Sequence, residues 1–180
     1  MTEKHECNGC FKVFDEQPDR CDICGYSQFT IRYDSEADTL RHIQTVKGFV
    51  VDIIIELASR CQNHDKSKLE SPEKEYFDKF TPRLSGVTYG SQEYRDMLEE
   101  MKPAIDHHHQ NNRHHVEFQK NGFDGMNLID IVELFCDWKS ATMRHNDGDI
   151  MRSISLNRKR HNLSDQLANI FINTAKDMGW

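Results

Sequence analysis

The 180-residue sequence has no run of about 18 apolar residues, so no transmembrane helix and no membrane association are expected. Its N-terminus, "MTEKHECNGC", lacks the hydrophobic segment of a secretory signal, which makes a cytoplasmic protein the expectation. Positive charge is scarce: 23 Lys and Arg face 30 Asp and Glu, for a net charge of −7. Direct nucleic-acid binding depends on basic surface and is not expected of such a chain. Aromatic residues make up only 9% and apolar residues 37%, enough for one ordinary domain with a small appendage.

The positive charge that exists is unevenly spread. Lys139, Arg144, Arg152, Arg158, Lys159 and Arg160 are opposed in their stretch only by Asp147 and Asp149. Such a cluster is either a solvated helix face or a patch for an anionic ligand such as phosphate.

Six cysteines without a signal segment argue against a disulfide framework. Four follow the spacing Cys7-x2-Cys10-x10-Cys21-x2-Cys24, in which two CxxC turns supply four thiolates to one tetrahedral metal. Four protein ligands close the coordination sphere, so the expected role is structural, holding together a segment too short to fold alone. Pro18 before the second knuckle and Gly25 after it resemble zinc ribbons and the rubredoxin-like modules of rubrerythrins. The resemblance implies zinc as a scaffold, or iron if electrons pass through it. Cys61 and Cys136 lie in apolar helical contexts and are expected to be buried thiols.

The chain divides at this level into residues 1–33, the cysteine ribbon, and residues 34–180, a helical domain. A first helix is expected after Ser35, with Asp38 completing a capping box, and its apolar positions run at helical spacing from Leu40 to Leu57. A second is expected from Ser71-Pro72, and a third from Ser91 toward the histidine cluster with a bend at Pro103. "TPRLSGVTYG" reads as a loop, and two more helices are expected over about 128–144 and 163–178. The larger part is therefore read as all-α.

Five of the ten histidines fall within "HHHQNNRHH", residues 107–115. Continuing the stripe Tyr94, Leu98, Met101, Ile105 at ~100° per residue brings His108 to within about 40° of Tyr94. His108 is therefore the favoured inward residue, His109 the substitute, and His107 is assigned to solvent. Asp137 sits among Leu134, Phe135 and Trp138, where a carboxylate is costly unless paired or metal-bound. Asp130 either orients a histidine or answers the positive end of a helix dipole. His5 and His161 have no spacing argument and are read as surface residues.

Taken in order, His42, His64-Asp65, the cluster and Asp137 resemble the HD superfamily of metal-dependent phosphohydrolases. The resemblance covers residues 36–145 and is sharpest in "HHVEFQKNGFDGMNLIDIVELFCDWKSAT", which looks like the HD-GYP branch. The turn "NGFDGM" departs from that branch's own sequence, so specificity for cyclic-di-GMP is not carried over. The chain is also similar to an uncharacterised family of small phage and bacterial proteins with "HD.SK", "N.HH.E" and "DW..A" patterns.

The resemblance implies an HD-like helical bundle holding one or two divalent transition metals: Mn, Fe, Ni or Zn. Implied ligands are His42, His64, Asp65, His108 or His109, His114, His115 and Asp137. His64, Asp65 and Lys68 would carry the chemistry, with metal-activated water attacking a nucleotide-like phosphoester. Lys68, Arg144, His145 and Arg158 would hold its anionic part. Two other expectations stay open: an HD-fold di-iron oxygenase served by the ribbon, and a non-catalytic metal-stabilised binding protein. A homo-oligomer is compatible with all three.

Overall fold

The computed structural model describes residues 3–84, 86–87, 91–144 and 148–180. It forms two compact units, residues 1–54 and 55–180. The chain is mostly helical, with a small sheet near its N-terminus. No helix among the described residues is long and apolar enough to cross a membrane.

In the first unit, strands β1 (Glu3–Cys7), β2 (Val13–Phe14) and β3 (Phe29–Tyr33) form an antiparallel sheet in the order β2-β1-β3. His5 pairs with Phe14 on one side and Ile31 on the other. β3 has the β-branched and aromatic composition that suits a pleated strand, and Phe14 meets Phe29 edge-on at 5.8 Å. Among the described residues of this unit, the only buried apolar side chains are Cys7 and Cys21. The cysteine cluster therefore stands where a hydrophobic core would be.

Helix α1 (Glu36–Asn63) begins in this unit. The side chain that caps it is Asp34, which accepts from the Glu36 amide at 3.0 Å, one residue before the expected Ser35. The contact boundary lies inside α1, at 54/55.

The second unit contains α2 (Glu73–Leu84), α3 (Gln92–Glu100), α4 (Lys102–Asn111), α5 (Leu128–Thr142), α6 (Ile150–His161) and α7 (Asp165–Asp177). The single bent helix expected after Ser91 is two helices. Ser91 does cap α3, accepting from the Tyr94 amide at 3.1 Å, but the break falls at Met101, and Pro103 sits in the first turn of α4, where its missing N–H costs nothing. The inward stripe is Met97, Met101, Ala104 and His108, while Tyr94, Leu98 and Ile105 are half-buried. Part of the expected loop, Thr81 to Leu84, continues α2 with Pro82 inside it. α6 covers much of the basic stretch, in keeping with the helix-face reading of that cluster.

Two apolar clusters hold this unit. Phe80, Met97 and Met101 join α2, α3 and α4. Leu134, Phe135, Trp138, Ile150, Ile154, Leu163 and Phe171 join α5, α6 and α7, with Val116 packed among them. The segment from His108 to Val116 runs from one cluster to the other, which fixes both of its ends. Cys61 and Cys136 are exposed, contrary to expectation. Cys136 lies about 200° around α5 from Leu134, hence on the solvent side, and no residue of α1 is buried.

Candidate metal centres

The Sγ atoms of Cys7, Cys10, Cys21 and Cys24 lie within 3.5–3.9 Å of one another. A metal–sulfur bond of about 2.3 Å sets tetrahedral thiolates about 3.8 Å apart, so these four residues fit one ion. Burial opposes ionisation of Cys21, but the amides of Cys24 and Ile23 bring its thiol down to about 7. The Tyr26 amide works the other way on Cys24, yet burial and the three neighbouring sulfurs push it up to about 12. Four sulfurs this close cannot all ionise unless a cation joins them.

A second constellation lies wholly in residues 55–180. Asp65 follows the end of α1 and opens the 3₁₀ turn Lys66–Leu69, with φ at 55°. Asp65 Oδ1 faces His108 Nε2 at 3.2 Å and His114 Nε2 at 3.5 Å. Asp65 Oδ2 faces His64 Nε2 at 3.5 Å and accepts from Lys68 Nζ at 2.5 Å. Asp137 Oδ1, on α5, is 3.8 Å from His64 Nε2. His115 Nε2 approaches His108 Nε2 to 2.8 Å. Donor atoms of Asp65, His108, His114 and His115 fit one ion, and those of His64, Asp65 and Asp137 fit another, with Asp65 common to both.

Each of three imidazoles is anchored from behind. His64 Nδ1 and His114 Nδ1 meet Glu133 Oε1 at 2.9 and 3.2 Å. His108 Nδ1 meets Glu73 Oε2 at 2.9 Å, with Asn112 Nδ2 at 3.0 Å and Ser67 nearby. A carboxylate at Nδ1 holds the proton there and leaves Nε2 as a lone-pair donor, the arrangement found behind metal-binding histidines. All three Nε2 atoms then point at Asp65. Two atoms at this focus, Asp65 Oδ1 and His114 Nε2, are buried without a hydrogen-bond partner. Buried polar atoms are rarely left so, and a cation between them would satisfy both.

The carboxylates are themselves held. Glu73 is completely buried. Glu133 Oε2 is ion-paired with Arg60 Nη2 at 2.6 Å. Asp130, also completely buried, takes Arg113 through two bonds of 2.7 and 2.9 Å and Arg60 at 2.9 Å. It also closes a capping box with Asn127 at the start of α5. Asp130 is thus both a helix-start carboxylate and the brace behind Glu133.

Burial disfavours the Asp65 anion, yet His108 and Lys68 hold it well below the usual carboxylate range. Glu133, likewise opposed by burial, is held down by His114 and His64. Asp137 and Glu133 together raise His64 to about 10. Burial beside other imidazoles drives His115 down to about 2. The site therefore carries more anionic charge than its own side chains neutralise, apart from an imidazolium that a metal would displace.

Several sequence-predicted residues fall elsewhere. His42 is exposed, belongs to residues 1–54, and joins none of the donor groups among the described residues. His109 is half-buried and groups with His115 and Glu117 at the rim. His107 is bound to Glu73 Oε1 at 2.7 Å and so is not simply solvated. Arg144 is exposed, and Arg158 is paired with Asp165. His145 lies outside the described residues. The basic residue that does reach the rim is Arg160, 3.0 Å from Glu117 Oε1, with His161 Nε2 at 4.0 Å, so His161 is not a free surface residue.

Glu73, Glu133, Arg60 and Arg113 were missed in the sequence. For Glu133 a signal existed: Asp130, Glu133 and Asp137 recur at i, i+3 and i+7 and so share a helix face. No curated protein and no solved structure matches the chain significantly. A family model described as a family of unknown function, DUF5662, matches residues 32–177, starting where the cysteine segment ends; the chain belongs to that family.

Proposed function

We propose that residues 55–180 form an HD-type, metal-dependent phosphohydrolase acting on a nucleotide-like phosphoester, with zinc in the cysteine site as a scaffold. The observation that carries the reading is the convergence of three Nδ1-anchored imidazoles on the two oxygens of one carboxylate. One ion would be held by His64, Asp65 and Asp137, the other by Asp65, His108, His114 and His115, with Asp65 bridging. Such ions lower the pKa of a water and neutralise charge on a phosphoryl group.

The chain's own residues supply the rest. Glu73 and Glu133 fix the tautomers and keep the rings from turning. Lys68, partly exposed beside Asp65 and resting over the Phe77 ring at 5.2 Å, offers a cation to a non-bridging phosphate oxygen. Arg160 and His161, through Glu117, are better placed than Arg144 or Arg158 to serve the anionic part of a substrate.

The test is a turnover screen of protein loaded separately with Mn, Fe(II), Ni or Zn. Substrates are nucleotides, cyclic dinucleotides and a model phosphodiester, read by product release. Metal-dependent turnover that Asp137→Asn abolishes, with the fold intact by circular dichroism, is the expected result. Full metal loading with no phosphoester cleaved, or iron at both positions with oxygen consumption, overturns the reading.

A further inference from the structure

Away from Asp65, His115 has a second set of neighbours. His109 lies half-buried on α4, and His115 and Glu117 flank Val116 at the 3₁₀ turn Val116–Phe118. Val116 is buried in the apolar cluster of α5, α6 and α7, which fixes the backbone on either side of it. The His109 and His115 ring centroids are 4.7 Å apart. One ligand atom each from His109, His115 and Glu117 lies within 4.8 Å of the other two. All three belong to residues 55–180.

Two imidazoles and one carboxylate are a donor set that zinc and ferrous iron accept, with further positions left to water. Magnesium and calcium prefer oxygen alone and do not suit it. Burial lowers the pKa of His109 and of His115, so both rings are neutral and offer lone pairs. Metal bonds of about 2.1 Å set tetrahedral ligand atoms about 3.4 Å apart, so an ion would draw the three slightly together. Glu117 has the freedom to follow: its side chain is 33% exposed, and its contacts with Arg160 and His161 both use Oε1 rather than Oε2.

His115 also differs from the imidazoles aimed at Asp65. His64, His108 and His114 each have a carboxylate at Nδ1. His115 meets His108 Nε2 at 2.8 Å, and among the described residues no carboxylate holds its ring from behind. Asp65, His108 and His114 are three protein ligands without it, enough for an ion with an open position. His109 and Glu117, by contrast, join no donor group but the one that includes His115.

We infer that His109, His115 and Glu117 hold a further divalent transition ion, zinc or ferrous iron, at the rim and separate from both ions of the Asp65 centre. The inference rests on the proposed centre only for the allotment of His115, and not on turnover of any phosphoester. The full chain, its cysteine site already filled, is dialysed to equilibrium against zinc, and ions per chain are counted by elemental analysis. Glu117→Ala and His109→Ala should each hold one ion fewer than the wild type, and the double variant no fewer than either. Arg160→Ala should keep that ion and bind it more tightly, because the cation competing for Glu117 is gone. Circular dichroism verifies that each variant keeps its helices.

The difference of one ion is expected whether the Asp65 centre holds two ions, one or none. An empty Asp65 centre therefore defeats the proposed function and leaves the rim site standing. Equal counts in the wild type and Glu117→Ala overturn the inference, as does an ion lost in Glu117→Ala but kept in His109→Ala, or lost in Arg160→Ala. Should His109→Ala fail to fold, Glu117→Ala, at an exposed position, decides alone.

Discussion

The two metal-ready regions are built in opposite ways. The cysteine cluster takes four identical soft donors from 18 consecutive residues, and two of them, Cys7 and Cys21, are the only buried apolar side chains among the described residues of their unit. The histidine–aspartate cluster draws mixed donors from Asp65 to Asp137, and its unit has two apolar clusters of its own. In the first region the ion would be the core; in the second it would be a guest in a structure already held by Phe80, Leu134 and their neighbours. Closed coordination by four thiolates suits a structural ion, whereas donors shared around one carboxylate leave room for water and substrate.

That contrast can be broken most forcefully at Cys21. Cys21→Ser should cost one metal per chain and unfold residues 3–33, seen as lost amide protection there, while protection in α5 to α7 persists. Retention of the β1–β3 sheet without metal would erase the difference between the regions. Next in size, His114→Ala should remove metal from the second region only, leaving the cysteine ion in place by elemental analysis. The helices of residues 55–180 should remain folded, because the apolar clusters hold them.

Asp130→Asn probes the brace instead of the ligands. Breaking a buried ion pair should destabilise the unit by about 3 kcal/mol in denaturant unfolding. Burial opposes the Asp130 anion, but Arg113, the Asn127 amide and Arg60 hold its pKa below the ordinary value. Its folded pKa being depressed, the stabilisation is present above the unfolded pKa of about 3.9 and is lost as pH falls through the folded value. The acid limb of the wild-type stability curve should therefore flatten in Asp130→Asn. Glu133→Gln should be milder in stability yet weaken metal binding about 10- to 100-fold, since it frees the rings of His64 and His114. The smallest effect belongs to Arg158→Ala, an exposed pair with Asp165, which should leave metal content and stability unchanged within error.

The two regions also differ in how much of them could be read from sequence. The cysteine site is local: two CxxC turns state their ligands and their spacing, so all four were visible. In the other region only what periodicity encodes was legible. His108 falls inward because Met97, Met101 and Ala104 precede it at helical spacing, on a stripe displaced around the helix from Tyr94, Leu98 and Ile105. His114 and His115 came through family likeness, since the non-helical segment after Asn111 has no period to read. Glu73 stayed hidden because a glutamate at the start of a helix is usually there for the dipole. Only tertiary packing turns it toward His107 and His108.

Asp65 imposes a double condition on its own codon. Its backbone sits at φ 55°, in a region that Gly, Asn and Asp enter at low cost and longer or branched side chains do not. Its oxygens meanwhile have to carry charge to two sets of donors. Glycine meets the first condition alone, asparagine adds the shape without the charge, and glutamate has the charge with an ill-suited backbone preference and an extra methylene. Aspartate is the one residue that satisfies both, so the three replacements form a graded series that separates conformation, shape and charge at a single position.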